Sequence, residues 1–98
     1  MRYSESELRG RTVISSDGQA IGRVSGLFLD SDSWRVDALQ IKLTEEVANK
    51  LGAEQSVFRA GTIEAPVRMV QSVGDAVVLS VATSELREVI PRKSGAAG

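Results

Sequence analysis

Between residues 8 and 43 the sequence turns back on itself twice. A short apolar run, Thr12 to Ile14, meets the pair Asp17-Gly18, and a longer run, Ala20 to Leu29, follows with glycines at 22 and 26. Tight hairpin turns need positive φ, which glycine adopts without a Cβ clash, so Asp-Gly between two apolar runs predicts a β-hairpin. A polar stretch, Asp30 to Trp34, then leads into Arg35 to Leu43 and predicts a second hairpin. Two successive hairpins at the start of a 98-residue chain imply a compact, mainly β domain.

Composition narrows the possibilities further. The chain is 42% hydrophobic and 26% charged, which is ordinary for a globular protein. No apolar run approaches the ~20 residues of a membrane helix, and no continuous apolar segment follows Arg2 as a signal peptide would require. The net charge of −1 and a pI near 5.4 argue against a general nucleic-acid binder. The chain holds neither histidine nor cysteine. That removes the usual zinc ligands, the Ser-His-Asp and Cys-His nucleophile arrangements, and any disulfide framework, which makes the cytoplasm the default location. The expectation is a protein that is not an enzyme and uses no cofactor or metal.

Along the chain, twelve valines against eight leucines favour strands. Ser4-Glu5-Ser6-Glu7 fits a capping box and predicts one helical turn before the first strand. Ile21 and Val24 lie three apart, which breaks a two-residue alternation, so a bulge is expected at Gly22. Beyond it Val24, Gly26 and Phe28 would share one face, with Leu27 and Leu29 on the other. Arg35 to Leu43 alternates as a half-buried antiparallel strand. Thr44-Glu45-Glu46 opens a helix over about 44–51, with Val47 and Leu51 one turn apart and Gly52 at its end. Residues 54–60 fit a loop or a short edge strand. Thr62 to Ala65, Arg68 to Val73 and Ala76 to Val81 read as strands, and Ser84 to Val89 as a closing helical turn. Residues 1–90 form one domain on this reading, with 91–98 a disordered tail.

Three blocks resemble a known family, the PRC-barrel domain, found in the cytoplasmic part of the photosynthetic reaction-centre H subunit and at the C-terminus of a ribosome maturation factor. They are Leu8-Arg9-Gly10-Arg11-Thr12-Val13 with Asp17-Gly18 and Ile21-Gly22-Arg23-Val24; Glu46 to Gly52; and Ala65-Pro66-Val67 with Val70 and Val73 to Leu79. The resemblance implies a six-stranded, mostly antiparallel barrel with a short helix. It also implies a binding module without chemistry of its own, similar to small stand-alone members, some of which look like cell-division adaptors.

Individual residues allow sharper readings. Asp30-Ser31-Asp32 begins like a calcium loop, but Arg35 stands where the turn glycine belongs and Ile41 where the glutamate belongs, so a polar turn fits better. Gly18, Gly22 and Gly26 recur every four residues without the Gly-Lys-Ser/Thr of a phosphate loop, so turn and bulge roles account for them. Arg11, Arg23 and Arg35, with Arg9, would form a basic patch if they converge; a solvated face balanced by Asp30, Asp32 and Asp37 is the simpler reading. Trp34, the single tryptophan, either anchors a partner or caps the barrel end. The candidate partner surface is therefore Arg11, Arg23, Trp34 and Arg35. Only one of the two apolar faces of the Ala20 to Leu29 strand can point inward, and Leu27 and Leu29 with Leu86, Val89 and Ile90 are the candidate homodimer or second-contact face. The expected function is protein–protein interaction as a homodimeric adaptor. An RNA- or ribosome-associated module and a small-ligand barrel are the alternatives.

Overall fold

A computed structural model describes residues 2–51 and 61–89, the side chains of 87–89 excepted. Helix α1, Glu5–Leu8, starts as its sequence predicts. The Ser4 hydroxyl accepts from the Glu7 N–H, and the Glu7 carboxylate accepts from the Ser4 N–H at 2.7 Å. Strands β1 (Thr12–Ile14), β2 (Ala20–Asp30) and β3 (Arg35–Leu43) then form the two hairpins. Gly18 takes φ +84° in the first turn. Helix α2, Glu45–Leu51, is capped by Thr44, whose hydroxyl accepts from the Val47 N–H at 3.2 Å. Strand β4, Thr62–Pro66, leads through a 3-10 turn, Val67–Met69, into β5, Val70–Val73. Arg68 and Met69 thus belong to a turn, because Pro66 removes a ladder donor at the end of β4. Strand β6, Ala76–Leu79, and a closing 3-10 helix, Thr83–Val89, complete the described chain. The expected loop at 54–60, the cap at Gly52, Ile90 and the tail at 91–98 lie outside the described residues.

The sheet order is β4-β3-β2-β1-β6-β5. Two expectations change here. The ladder between β1 and β6 is parallel, pairing Thr12 with Ala76 and Ile14 with Val78, so the sheet is mixed rather than antiparallel throughout. The sheet is also not closed into a barrel: β4 and β5 are its two edges, and no ladder joins them among the described residues. Three residues of 3-10 turn connect those edges, so the sheet curls without closing. A proline at the edge of β4 and a four-residue β5 leave little backbone for a closing ladder.

The bulges also fall differently from the expectation. Against β1, the extra residue of β2 is Ile21, while Gly22 stays in register with Val13 and with Leu43. Glycine at 22 answers a separate need: a Cβ there would lie 2.2 Å from the Lys42 carbonyl oxygen of β3. A second extra residue, Ser25, separates the pairs Val24–Ile41 and Gly26–Gln40. One inserted residue turns a spacing of three into a spacing of two, so Leu27 joins Val24 on the inner face. Asp37 does the same on β3, which keeps Val36 and its partner Leu29 on that face as well. Phe28 is left on the outer side. The inner face is therefore one continuous apolar stripe along the whole hairpin.

Its deep part is the core. Ile21, Ile41, Ile63, Val77, Leu79 and Leu86 are fully buried together with Val47 of α2. Each such side chain contributes roughly 1.5–3 kcal/mol on removal from water. No helix among the described residues is long and apolar enough to cross a membrane.

Candidate functional site

The two ends of the curled sheet are finished differently. At one end α2 and the closing 3-10 helix lie over the core, and a polar latch fixes that helix to the first hairpin. Ser15, buried to 1% exposure, donates its hydroxyl to the Asp17 carboxylate and sits 2.9 Å from the Thr83 hydroxyl, whose proton goes to Gln19 Oε1 at 2.9 Å. The Ser16 N–H also donates to the Val81 carbonyl at 2.8 Å. The Ser15 hydroxyl holds Asp17 below the usual carboxylate range. The network joins the first hairpin to the closing 3-10 helix.

At the other end the inner stripe runs out from under its cover. Val24 is 2% exposed, Leu27 is half-buried and Leu29 is 49% exposed. Here an apolar cavity of about 360 Å³ opens. Leu27, Val36 and Leu39 of the β2–β3 hairpin form one wall, Tyr3 and Leu8 at the ends of α1 another, and Val67, Val70 and Val73 the third. Tyr3 and Leu8 flank the helix at the positions of a hydrophobic staple, a signal present in the sequence beside the capping box. Val67 and Val73 had no such local mark, because what brings them to the mouth is the curl of the sheet.

Past the mouth the hairpin continues as an arm: every residue from Phe28 to Asp37 is exposed. Among the described residues the exposed large apolar side chains are Phe28, Leu29, Trp34 and Val36 on this arm, and Val67 across the mouth. The arm's turn is the polar one expected. The Asp30 carboxylate accepts from the N–H groups of Asp32 at 2.8 Å and Ser33 at 3.3 Å, and the Asp30 carbonyl accepts from the Trp34 N–H at 2.7 Å. Trp34 itself has φ +61° and is 76% exposed. A bulky L-residue in the left-handed region is strained by about 1–2 kcal/mol relative to the right-handed one. Neither turn chemistry nor burial calls for tryptophan there, and of its two earlier readings the structure gives no support to a barrel cap.

The other candidate residues separate. Arg11 is committed within the chain. Its guanidinium donates to the Glu7 carbonyl at 2.9 Å and to the Gly74 carbonyl, and lies 4.9 Å from the centre of the Tyr3 ring. Arg23 is exposed and reaches the Gly10 carbonyl at 3.3 Å, beside Lys42. Arg35 pairs across the arm with Asp30, seven residues along β2 from Arg23 and so about 20 Å away. Arg9 is ion-paired with Glu5. Arg35 therefore does not join Arg11 and Arg23, which lie on neighbouring backbone; Trp34 and Arg35 remain together at the tip. On the candidate dimer face, Leu86 is withdrawn, since at 0% exposure it is part of the core under α2 and β4. Leu27 and Leu29 stay at the mouth, but on the face of Val24 rather than opposite to it. The Val89 side chain and Ile90 lie outside the described residues.

Comparison with curated proteins finds no match. The family model of the PRC-barrel domain matches residues 2–86, which takes in every described strand, the mouth and the arm, and the chain belongs to the PRC-barrel domain family.

Proposed function

We propose that this chain is a non-enzymatic protein-interaction module of the adaptor kind, acting as a homodimer in the cytoplasm. The observation that carries the reading is the segregation of exposed apolar side chains. Phe28, Leu29, Trp34 and Val36 sit on one arm beside an apolar mouth, and a tryptophan closes the arm's turn in a left-handed conformation that favours glycine. Contiguous exposed apolar surface of this kind marks interaction sites, and exposed tryptophan is the residue most enriched at binding hot spots. The RNA-associated alternative loses support because Arg35 lies far from Arg11 and Arg23 and the Arg11 guanidinium is committed to two backbone carbonyls, since phosphate binding gains from clustered, available cations.

The cavity favours one further reading, a small apolar ligand. Its volume lies at the bottom of the roughly 300–1,000 Å³ range of such sites. Native mass spectrometry of the chain purified from its own cells separates these readings. Twice the chain mass of 10.5 kDa, with no added small mass, is the expected result. A monomer carrying a bound small molecule would favour the ligand reading. Nuclease-sensitive recovery of the chain with RNA would favour the third.

A further inference from the structure

The arm and the mouth lie side by side on one end of the molecule, and the indole at the arm's tip does not fill the chain's own mouth. Cross-strand pairing runs from Leu27–Leu39 at the mouth to Asp30–Arg35 at the tip, with one inserted residue, Asp37. Trp34 lies two residues, about 7 Å, beyond Val36, the hairpin residue nearest the tip that lines the mouth. The indole is not part of the cavity's lining and keeps 76% of its surface exposed.

An isologous pair needs a projection and a recess on the same face, each displaced from the two-fold axis, and this end of the molecule carries both. Charge agrees with that arrangement. The tip and arm present Asp30, Asp32 and Asp37 against one cation, Arg35, whereas the rim presents Arg2 beside Tyr3 and Arg68 beside Val67 against Glu64, all exposed. Neither Arg2 nor Arg68 is ion-paired among the described residues. An acidic tip and a basic rim attract between copies and repel the tip-to-tip alternative. A cavity of about 360 Å³ also suits one large aromatic side chain with a neighbouring aliphatic one.

We propose that two copies exchange arms, the Trp34 indole of each entering the apolar mouth of the other between Tyr3 and Val67, with Leu29 following along the rim. This rests on the homodimer reading and names its geometry. The strain at Trp34 then has a role, since it presents the indole outward before association and lowers the ordering cost of binding.

The chain supplies its own probe, because Trp34 is its single tryptophan. In a dilution series from about 100 µM to below 1 µM, light scattering follows the mass and fluorescence follows the indole. The expected result is a blue-shifted emission that moves to that of water-exposed indole as the mass halves. Trp34→Ala should raise the dimer dissociation constant at least about 30-fold with an unchanged circular dichroism spectrum. The absence of cysteine permits a second test. A Ser33→Cys chain mixed with a Val67→Cys chain under mild oxidation should give a disulfide-linked pair that neither gives alone. A dimer whose emission stays that of exposed indole, or cross-linking of Ser33→Cys chains to themselves, overturns arm exchange and leaves the homodimer standing. A folded monomer throughout the series overturns both.

Discussion

The two ends of this sheet are built from the same β-branched and leucine side chains and reach opposite outcomes. At the covered end, Leu79, Leu86 and Val47 have no contact with water; at the open end, Leu29, Val36 and Val67 keep two-fifths to half of their surface exposed. What separates them is cover. Helix α2 and the closing 3-10 helix lie over one end, whereas the short α1 closes only part of the other. The inner face of β2 passes through both regions without a change of residue type. Apolar side chains on a strand therefore say which face is inner, not whether that face is covered. Stability belongs to the covered end and recognition to the open one, and substitutions at the two ends should differ in sign as well as in size.

The largest expected effect is at the covered end. Leu86→Ala removes a fully buried side chain from a 3-10 helix with little means to collapse into the gap. It should cost about 3–4 kcal/mol and lower the melting temperature by roughly 15–20 °C. A cost below about 1 kcal/mol, measured by denaturant titration, would place the main store of stability elsewhere.

Next is Gly22→Ala, near the start of β2. The new Cβ meets the Lys42 carbonyl oxygen and the Leu43 Cα, both backbone atoms, so β3 must move away. A loss of about 2–3 kcal/mol is expected, with amide exchange accelerated along β3 more than along β1. Equal acceleration in all strands would show that the close approach is not local to that pair.

The local elements were legible in the sequence because their causes are local. The Ser4–Glu7 box, the Asp17-Gly18 turn, the Thr44 cap and the limits of β1 and β3 each follow from a few neighbouring residues. The faces of the β2–β3 arm were not legible. Ser25 and Asp37 are ordinary polar residues, and only the partner strand decides that each is the inserted one. The parallel β1–β6 pairing joins residues more than sixty positions apart, and the burial of Leu86 depends on it and on α2. Of the site, Trp34, Arg35, Leu27 and Leu29 were identified from composition and spacing. Tyr3, Leu8, Val67 and Val73 were missed because the mouth they line is made by the curl of the sheet.

The latch at the covered end gives a smaller, pH-dependent effect. Ser15→Ala should cost about 1–2 kcal/mol at neutral pH, since buried Thr83 loses a partner and Asp17 loses a donor. Because Asp17 is held below its usual range when folded, its share of stability is present above the unfolded-state value. That share is lost as pH falls through the lower folded value, below about pH 4. The difference between wild type and Ser15→Ala should therefore narrow on acidification. A gap that stays constant from neutral pH to pH 2 would mean that the hydroxyl does not hold the carboxylate.

The smallest effect has the opposite sign, and it tests the contrast between the ends most directly. Trp34 stands in the left-handed region, where glycine suffers no Cβ clash. With 76% of its surface in water, it has little packing to lose in the isolated chain. Against the relief of strain stands the greater freedom of glycine in the unfolded state, which offsets part of it. Trp34→Gly should therefore stabilise the monomer by about 0.5–1 kcal/mol in denaturant titrations at submicromolar concentration, where association contributes nothing. The same substitution should weaken dimerisation, so that at high concentration the wild type becomes the more stable protein. That crossing with concentration is the expected mark of a residue placed for a partner rather than for the fold. Destabilisation of the dilute monomer by 1 kcal/mol or more would show instead that the indole supports its own arm, and the division between the two ends would fail at its tip.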